Sequence, residues 1–257
     1  MTLLDELDAA LRAGRKLLVP YLMGGAPDRD SFRAALEAVA HHADAVEVGL
    51  PYSDPLMDGP LIAAAGERVL RMGIGPLAAL ELAGGVSVRP PKVVMTYYNP
   101  IHRIGEDEFC GRAKARGYEG LIVPDLPLEE STTLRGRVAH HGLAWIPLVA
   151  PTSSPERTKE IADSATGFVY AVSTLGVTGV RERLSELAAT VVSACRAVTD
   201  LPVLVGIGIS SPELARVAAE QADGVVIGSA VVRRIVDEGP TAARSFLGEV
   251  RTALDAG

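Results

Sequence analysis

Three carboxylates, Glu47, Asp54 and Asp58, fall within residues 46–60. A carboxyl group can give or take a proton, and a fixed carboxylate can offset positive charge developing on a substrate. Glu47 stands at the end of a short apolar run. The two aspartates follow in a stretch punctuated by Gly49, Pro51, Pro55, Gly59 and Pro60, which suits a loop rather than a helix or strand. Any one of these acids alone reads as an ion-pair partner or turn former. Three on one proline-punctuated loop read as an acid/base site.

A second group of residues suits an anion. Gly206-Ile207-Gly208-Ile209-Ser210 and Gly228-Ser229-Ala230 each separate an apolar run from helical sequence, and residues 173–179 close with Gly-Val-Thr-Gly. Small residues there let backbone N–H groups approach a ligand, and a helix start favours negative charge. Each glycine alone is equally well explained by a tight turn. There is no Walker lysine and no GxGxxG after the first strand, so the anion reads as a phosphate carried by a substrate. Residues 173–183 hold two glycines among polar residues, a composition suited to a lid.

The elements that must position these groups alternate. Short apolar runs at 17–23, 45–48, 92–97, 120–123, 144–149, 168–172, 203–205 and 225–227 read as strands. Helical sequence follows each, with starts marked by Ser154-Pro155 and Ser211-Pro212. Residues 2–12 read as a further helix, with Leu3, Leu4, Leu7 and Leu11 on one face, Thr2 and Asp5 as a capping pair, and Gly14 as its stop. Eight such repeats predict a (β/α)8 TIM barrel with an extra N-terminal helix covering its bottom, as a single domain over 1–257. An open doubly wound sheet is the alternative. In a barrel, chemistry sits at the C-terminal strand ends, which is where the acids and glycines fall.

Composition narrows the class. The chain has 257 residues, 48% of them hydrophobic, and a net charge of −7. That acidity disfavours a partner that tracks nucleic-acid phosphates. No apolar run approaches the roughly 18 residues of a membrane span, and the acidic N-terminus lacks the pattern of a signal peptide, so a cytoplasmic protein is expected. Two isolated cysteines and five histidines without ligand spacing predict neither a disulfide framework nor a metal site. His102 and the segment Asn99-Pro100-Ile101 read as loop.

Five segments together resemble the tryptophan synthase alpha chain family: 47–60 (EVGLPYSDPLMDGP), 94–101 (VMTYYNPI), 124–130 (PDLPLEE), 176–179 (GVTG) and 206–210 (GIGIS). The resemblance spans nearly the whole chain in order, and the first segment is highly specific. It implies a lyase that splits indole-3-glycerol phosphate into indole and glyceraldehyde 3-phosphate. Glu47 takes the position of the general acid/base, and Asp58 that of the carboxylate holding the indole N–H. Gly179, Gly208, Gly228 and Ser229 fall at the phosphate-binding positions, and Tyr21, Met95, Ile122, Tyr170, Thr178 and Ile207 around the indole and its glycerol chain. No cofactor is implied in this chain. A β subunit carrying pyridoxal phosphate is the implied partner, in an α2β2 heterotetramer, with Asp54, Asn99 and Pro100 toward the interface. The chain departs from the family at Met23-Gly24-Gly25, Met57, Ala63 and Ile207. Two alternatives are a ligand-binding regulatory barrel with little activity and another barrel enzyme for a phosphorylated metabolite. A Schiff-base aldolase would need a lysine at a strand end, and Lys92 stands at a strand start.

Overall fold

The computed structural model describes residues 2–172, 181–206 and 208–256, with only the backbone of 181–187. The strands are β1 (Leu17–Met23), β2 (Val46–Gly49), β3 (Lys92–Met95), β4 (Tyr118–Ile122), β5 (Ala144–Trp145), β6 (Leu148–Val149), β7 (Val169–Val172), β8 (Val203–Gly206) and β9 (Gly224–Ile227). Every residue of β1, β2, β8 and β9 is buried, which explains why these runs are apolar, Glu47 excepted, rather than alternating.

All pairings are parallel, in the order β5-β4-β3-β2-β1-β9-β8-β7-β6. The two ends of that order are consecutive in the chain, so the sheet closes on itself as a TIM barrel. Ile146 N–H donates to Leu121 O on one side (3.1 Å), and Pro147 O accepts from Tyr170 N–H on the other (3.0 Å). The fifth strand expected over 144–149 is therefore broken in two. Pro147, at the break, has no N–H to give to a ladder.

The helices are α1 (Leu3–Arg12), α2 (Arg29–Ala40), α3 (Pro60–Arg71), α4 (Pro76–Gly84), α5 (Tyr98–Ile104), α6 (Glu106–Ala115), α7 (Thr132–His140), α8 (Pro155–Ser164), α9 (Arg181–Arg196), α10 (Pro212–Ala219), α11 (Ser229–Asp237) and α12 (Pro240–Asp255). Ser154 and Ser211 cap α8 and α10 as their Ser-Pro pairs predict, accepting from Arg157 N–H and Leu214 N–H. One stretch differs from the sequence reading. The third strand stops at Met95, and Asn99-Pro100-Ile101 and His102 lie in α5 rather than in a loop. Its first amide, that of Tyr98, donates to the Asp125 carboxylate (2.9 Å), so the helix start is stabilised from a residue 27 positions away. Pro100 is accommodated in the first turn, where its missing N–H costs nothing.

The extra helix α1 opens with a reciprocal cap: Asp5 N–H donates to Thr2 Oγ1 (3.2 Å) and Thr2 N–H to Asp5 Oδ2 (2.8 Å). Its Leu3 and Leu7 join the barrel-interior cluster of Leu17, Val93, Ile122, Phe168, Leu204 and Val226. The barrel is thus plugged at its lower end by its own first helix. Gly120 and Gly167 leave the room: a Cβ on either would lie 3.1 or 3.3 Å from Leu3 Cδ2. Among the described residues, no helix is long and apolar enough to cross a membrane. We expect Leu3→Ala to destabilise the protein by about 2–5 kcal/mol in urea unfolding, against about 1 kcal/mol for Thr2→Ala. Equal, small losses would remove α1 from the core.

Candidate active site

The C-terminal strand ends surround a cavity of about 300 Å³. Tyr21 enters it from β1, Glu47 from β2, Met95 from β3, Ile122 from β4 and Tyr170 from β7. Asp58 comes from the loop after β2, Gly208 from the loop after β8, and Gly228 and Ser229 from the start of α11. Residues drawn from all round the barrel therefore meet at one place. Thr178, Gly179 and Ile207 lie outside the described residues, as does the lid segment through residue 180; its last three residues begin α9.

Glu47 is 1% exposed, and its Oε2 has no hydrogen-bond partner among the described residues. Burial, and secondarily the charge of Asp58, push its carboxyl up to about 8. Burial also raises Asp58, to about 6, while a hydrogen bond from the Tyr97 hydroxyl pulls it back. At neutral pH Glu47 holds its proton and Asp58 is mostly ionised. One cavity thus contains an acid and a fixed negative charge.

Two tyrosines rest against bare backbone. A Cβ on Gly49 would collide with the Tyr21 hydroxyl, and a Cβ on Gly206 with that of Tyr170. These glycines therefore keep the rings inside the cavity. At the other end, Gly208 has φ +87°, a left-handed conformation that side chains disfavour. The amides of Ser229 and Ala230 open α11 and have no intrahelical carbonyl, a ready anion cradle. Arg233 and Arg234 also line the cavity, Arg233 four residues beyond Ser229 on the same helical face. That spacing was the available signal, and the sequence reading passed over it. Arg234 is committed to Ala230 O (2.9 Å) and to the Phe246 ring, 3.7 Å away.

Among the described residues, one group could offer several metal ligands: Asp107, His140 and His141, at the ends of α6 and α7. Asp107 is there engaged by His141 (3.1 Å) and Arg137 (3.8 Å), and none of the three lines the cavity. Cys110 and Cys195 are both buried and free.

The sequence profile of the tryptophan synthase alpha chain family matches residues 7–252. The chain belongs to that family. It is 44% identical to the tryptophan synthase alpha chain of Synechocystis sp., over 96% of this chain and 97% of that one. Among solved structures it is similar to Mycobacterium tuberculosis tryptophan synthase (TM-score 0.90, 41% identity, covering 99% and 98% of the two chains). It is also similar to the alpha subunit from Legionella pneumophila (TM-score 0.91, 32% identity, full coverage of both).

For a tryptophan synthase alpha chain, the surface beside the cavity is also of interest. Asp54 and Asn99 are exposed there, outside the cavity. Pro100 and Ile101 are buried within α5, so Pro100 does not present the surface expected of it toward a partner. A loop over 99–101 would leave both side chains free, and the helix turns them inward. Leu56 and Met57, 87% and 53% exposed, supply the apolar surface instead.

The buried Glu47 links folding to pH. Its folded pKa of about 8 exceeds the ordinary 4.5, so the native state holds a proton that the unfolded chain loses first. Stability contributed by that proton is complete below pH 4.5 and is lost as pH rises through 8. Relative to wild type, Glu47→Gln should therefore gain about 5 kcal/mol across that window and nothing more above it. Parallel stability–pH curves for the two proteins, measured by denaturant unfolding, would show that Glu47 is not held as a neutral acid.

Proposed function

We propose that this cavity cleaves indole-3-glycerol phosphate to indole and glyceraldehyde 3-phosphate, with Glu47 as general acid/base and Asp58 as the carboxylate facing the indole N–H. The observation that carries the reading is a buried carboxyl with an unpartnered oxygen, sharing its cavity with a second, ionised one. The protonated Glu47 gives its proton to indole C3, which makes the ring an electron sink. Positive charge then builds on the ring nitrogen, where Asp58 offsets it. The Glu47 carboxylate next takes the proton of the hydroxyl on the adjacent side-chain carbon. The C–C electron pair returns to the ring, indole leaves, and an aldehyde remains. Glu47 ends as it began, protonated.

The remaining roles combine the cavity lining with what the family resemblance implies for Gly179, Thr178 and Ile207. The phosphate lies against Gly208, Gly228 and Ser229, joined by Gly179. Tyr21, Met95, Ile122 and Tyr170, with Thr178 and Ile207, enclose the indole and its chain. The reaction draws on no cofactor in this chain. The chain works in the cytoplasm with a tryptophan synthase β subunit, which holds pyridoxal phosphate, in an α2β2 assembly. Asp54 and Asn99, with exposed Leu56, face that subunit.

The rate should need ionised Asp58 and protonated Glu47. Activity therefore rises with pH through about 6 and falls through about 8, giving a bell-shaped profile. Glu47→Gln and Asp58→Asn should each lose at least about 100-fold in turnover. A wild-type rate in either variant, measured as indole release, would sink the assignment. Gly228→Asp tests the anion end. A Cβ there meets Ile62 Cδ1 at 3.4 Å, an ordinary contact, so Tm should hardly move. Charge and bulk at the phosphate site should raise KM by roughly tenfold or more. An unchanged KM would place the phosphate elsewhere.

A further inference from the structure

We propose that Tyr97 is a positioning residue for Asp58, its hydroxyl tying the Asp58 loop to the barrel and, through Tyr52, to the exposed Asn99. The proposal deepens the lyase reading of the cavity and rests on it. Tyr97 is 3% exposed and does not itself line the cavity, so any effect it has on the reaction passes through Asp58. Its hydroxyl accepts from the Met57 amide (3.0 Å), one residue from Asp58, and favours the charged form of the Asp58 carboxylate beside it. The other polar contacts of residues 53–58 stay inside the loop, as in Leu56 N–H to Asp54 O (2.9 Å), Asp58 N–H to Pro55 O (3.1 Å) and Ser53 Oγ to Asp54 Oδ2 (2.5 Å). Among the described residues, the Tyr97 hydroxyl is the one polar tether from outside the loop onto this segment.

The support behind the tether is rigid. Thr96 N–H donates to Ile122 O (3.1 Å), and Tyr98 N–H is held by Asp125 (2.9 Å), so the backbone on both sides of Tyr97 is fixed. The Tyr97 ring stacks on Tyr52, with centroids 5.1 Å apart and planes 29° apart. The Tyr52 hydroxyl accepts from the amide of the exposed Asn99 (3.0 Å). A contact that shifts Asn99 therefore reaches Asp58 through two rings and two hydrogen bonds. Other ionisable groups around Asp58 are Glu47 on β2, Tyr21 on β1 and Tyr170 on β7, with Arg233 and Arg234 on α11. Among the described residues, none of these hydrogen-bonds to it.

The test is Tyr97→Phe in the full chain, with Tyr52→Phe as the comparison. The Asp58 carboxyl is titrated by carbon-13 NMR, and kinetics on indole-3-glycerol phosphate are measured with and without β subunit. Phenylalanine keeps the stack and removes the donor that favours the charged carboxylate. The Asp58 midpoint should rise by roughly half a unit or more, and the acid limb of the rate profile should rise with it. Turnover should fall by about tenfold, with KM changed less than about twofold. Tyr52→Phe should leave the Asp58 midpoint in place while weakening the response to β subunit. If Tyr97→Phe unfolds, 3-fluorotyrosine at position 97 keeps the ring and strengthens the donor, and the midpoint should then fall. An Asp58 midpoint unmoved by either change at position 97 overturns the proposal. Absence of wild-type turnover would instead overturn the lyase reading, while the titration would still decide the role of Tyr97.

Discussion

A carboxyl group buried with no hydrogen-bond partner among the described residues is the constraint on which the rest of this molecule depends. Leaving the Glu47 oxygen unpaired costs on the order of 1–3 kcal/mol, and ionising it there would cost more. The protein meets that cost by keeping the proton on, and the retained proton is what makes the group an acid at neutral pH. Strands on both sides are needed to hold the side chain dry: β2 is paired along its length, with Glu47 opposite Tyr21 of β1 and Val93 of β3. The plug formed by α1 fills the barrel beneath it with Leu3 and Leu7, so water has no route from below.

The second carboxyl is treated differently. Asp58 sits on a loop, only partly enclosed, and receives a hydrogen bond that stabilises its charged form. Two acids in one cavity are thereby separated in pKa by their surroundings, one by an apolar wall and one by a phenol. The anion end uses neither device. Free helix amides and a left-handed glycine present donors with no side-chain charge of their own, and so leave the balance between the acids undisturbed.

The barrel and most of the cavity were legible because their signals are local. Apolar runs, Ser-Pro starts and the Thr2–Asp5 cap are each encoded within a few residues, and the C-terminal strand ends then select Glu47, while Tyr21, Met95, Ile122 and Tyr170 come from the family resemblance and do line the cavity. What escaped depends on distant partners. Helix α5 is started by a carboxylate 27 residues away, so Asn99, Pro100 and Ile101 read as loop. The importance of Tyr97 follows from a loop folding back 40 residues to meet it, which no spacing rule signals. Arg233 was visible in principle, one turn beyond Ser229, but helix faces inside a barrel's outer ring are usually assigned to packing.

The break at Pro147 also shapes how the closed wall yields. The two halves are one continuous stretch of chain, and the seam they make is shallow. β5 pairs with β4 at two positions and β6 with β7 at two, each extended by one bond through Ile146 or Pro147, while β1 pairs with β2 at three positions and with β9 at four. Transient opening should follow that seam, where the fewest cross-strand bonds must be given up. Counting round the barrel, the seam faces β1, and β1 with its neighbours carries Tyr21 and Glu47 and leads into Gly228. Breathing is thereby directed to the wall opposite the reacting groups. The barrel can flex for solvent exchange or repair while the stave that holds its acid keeps still.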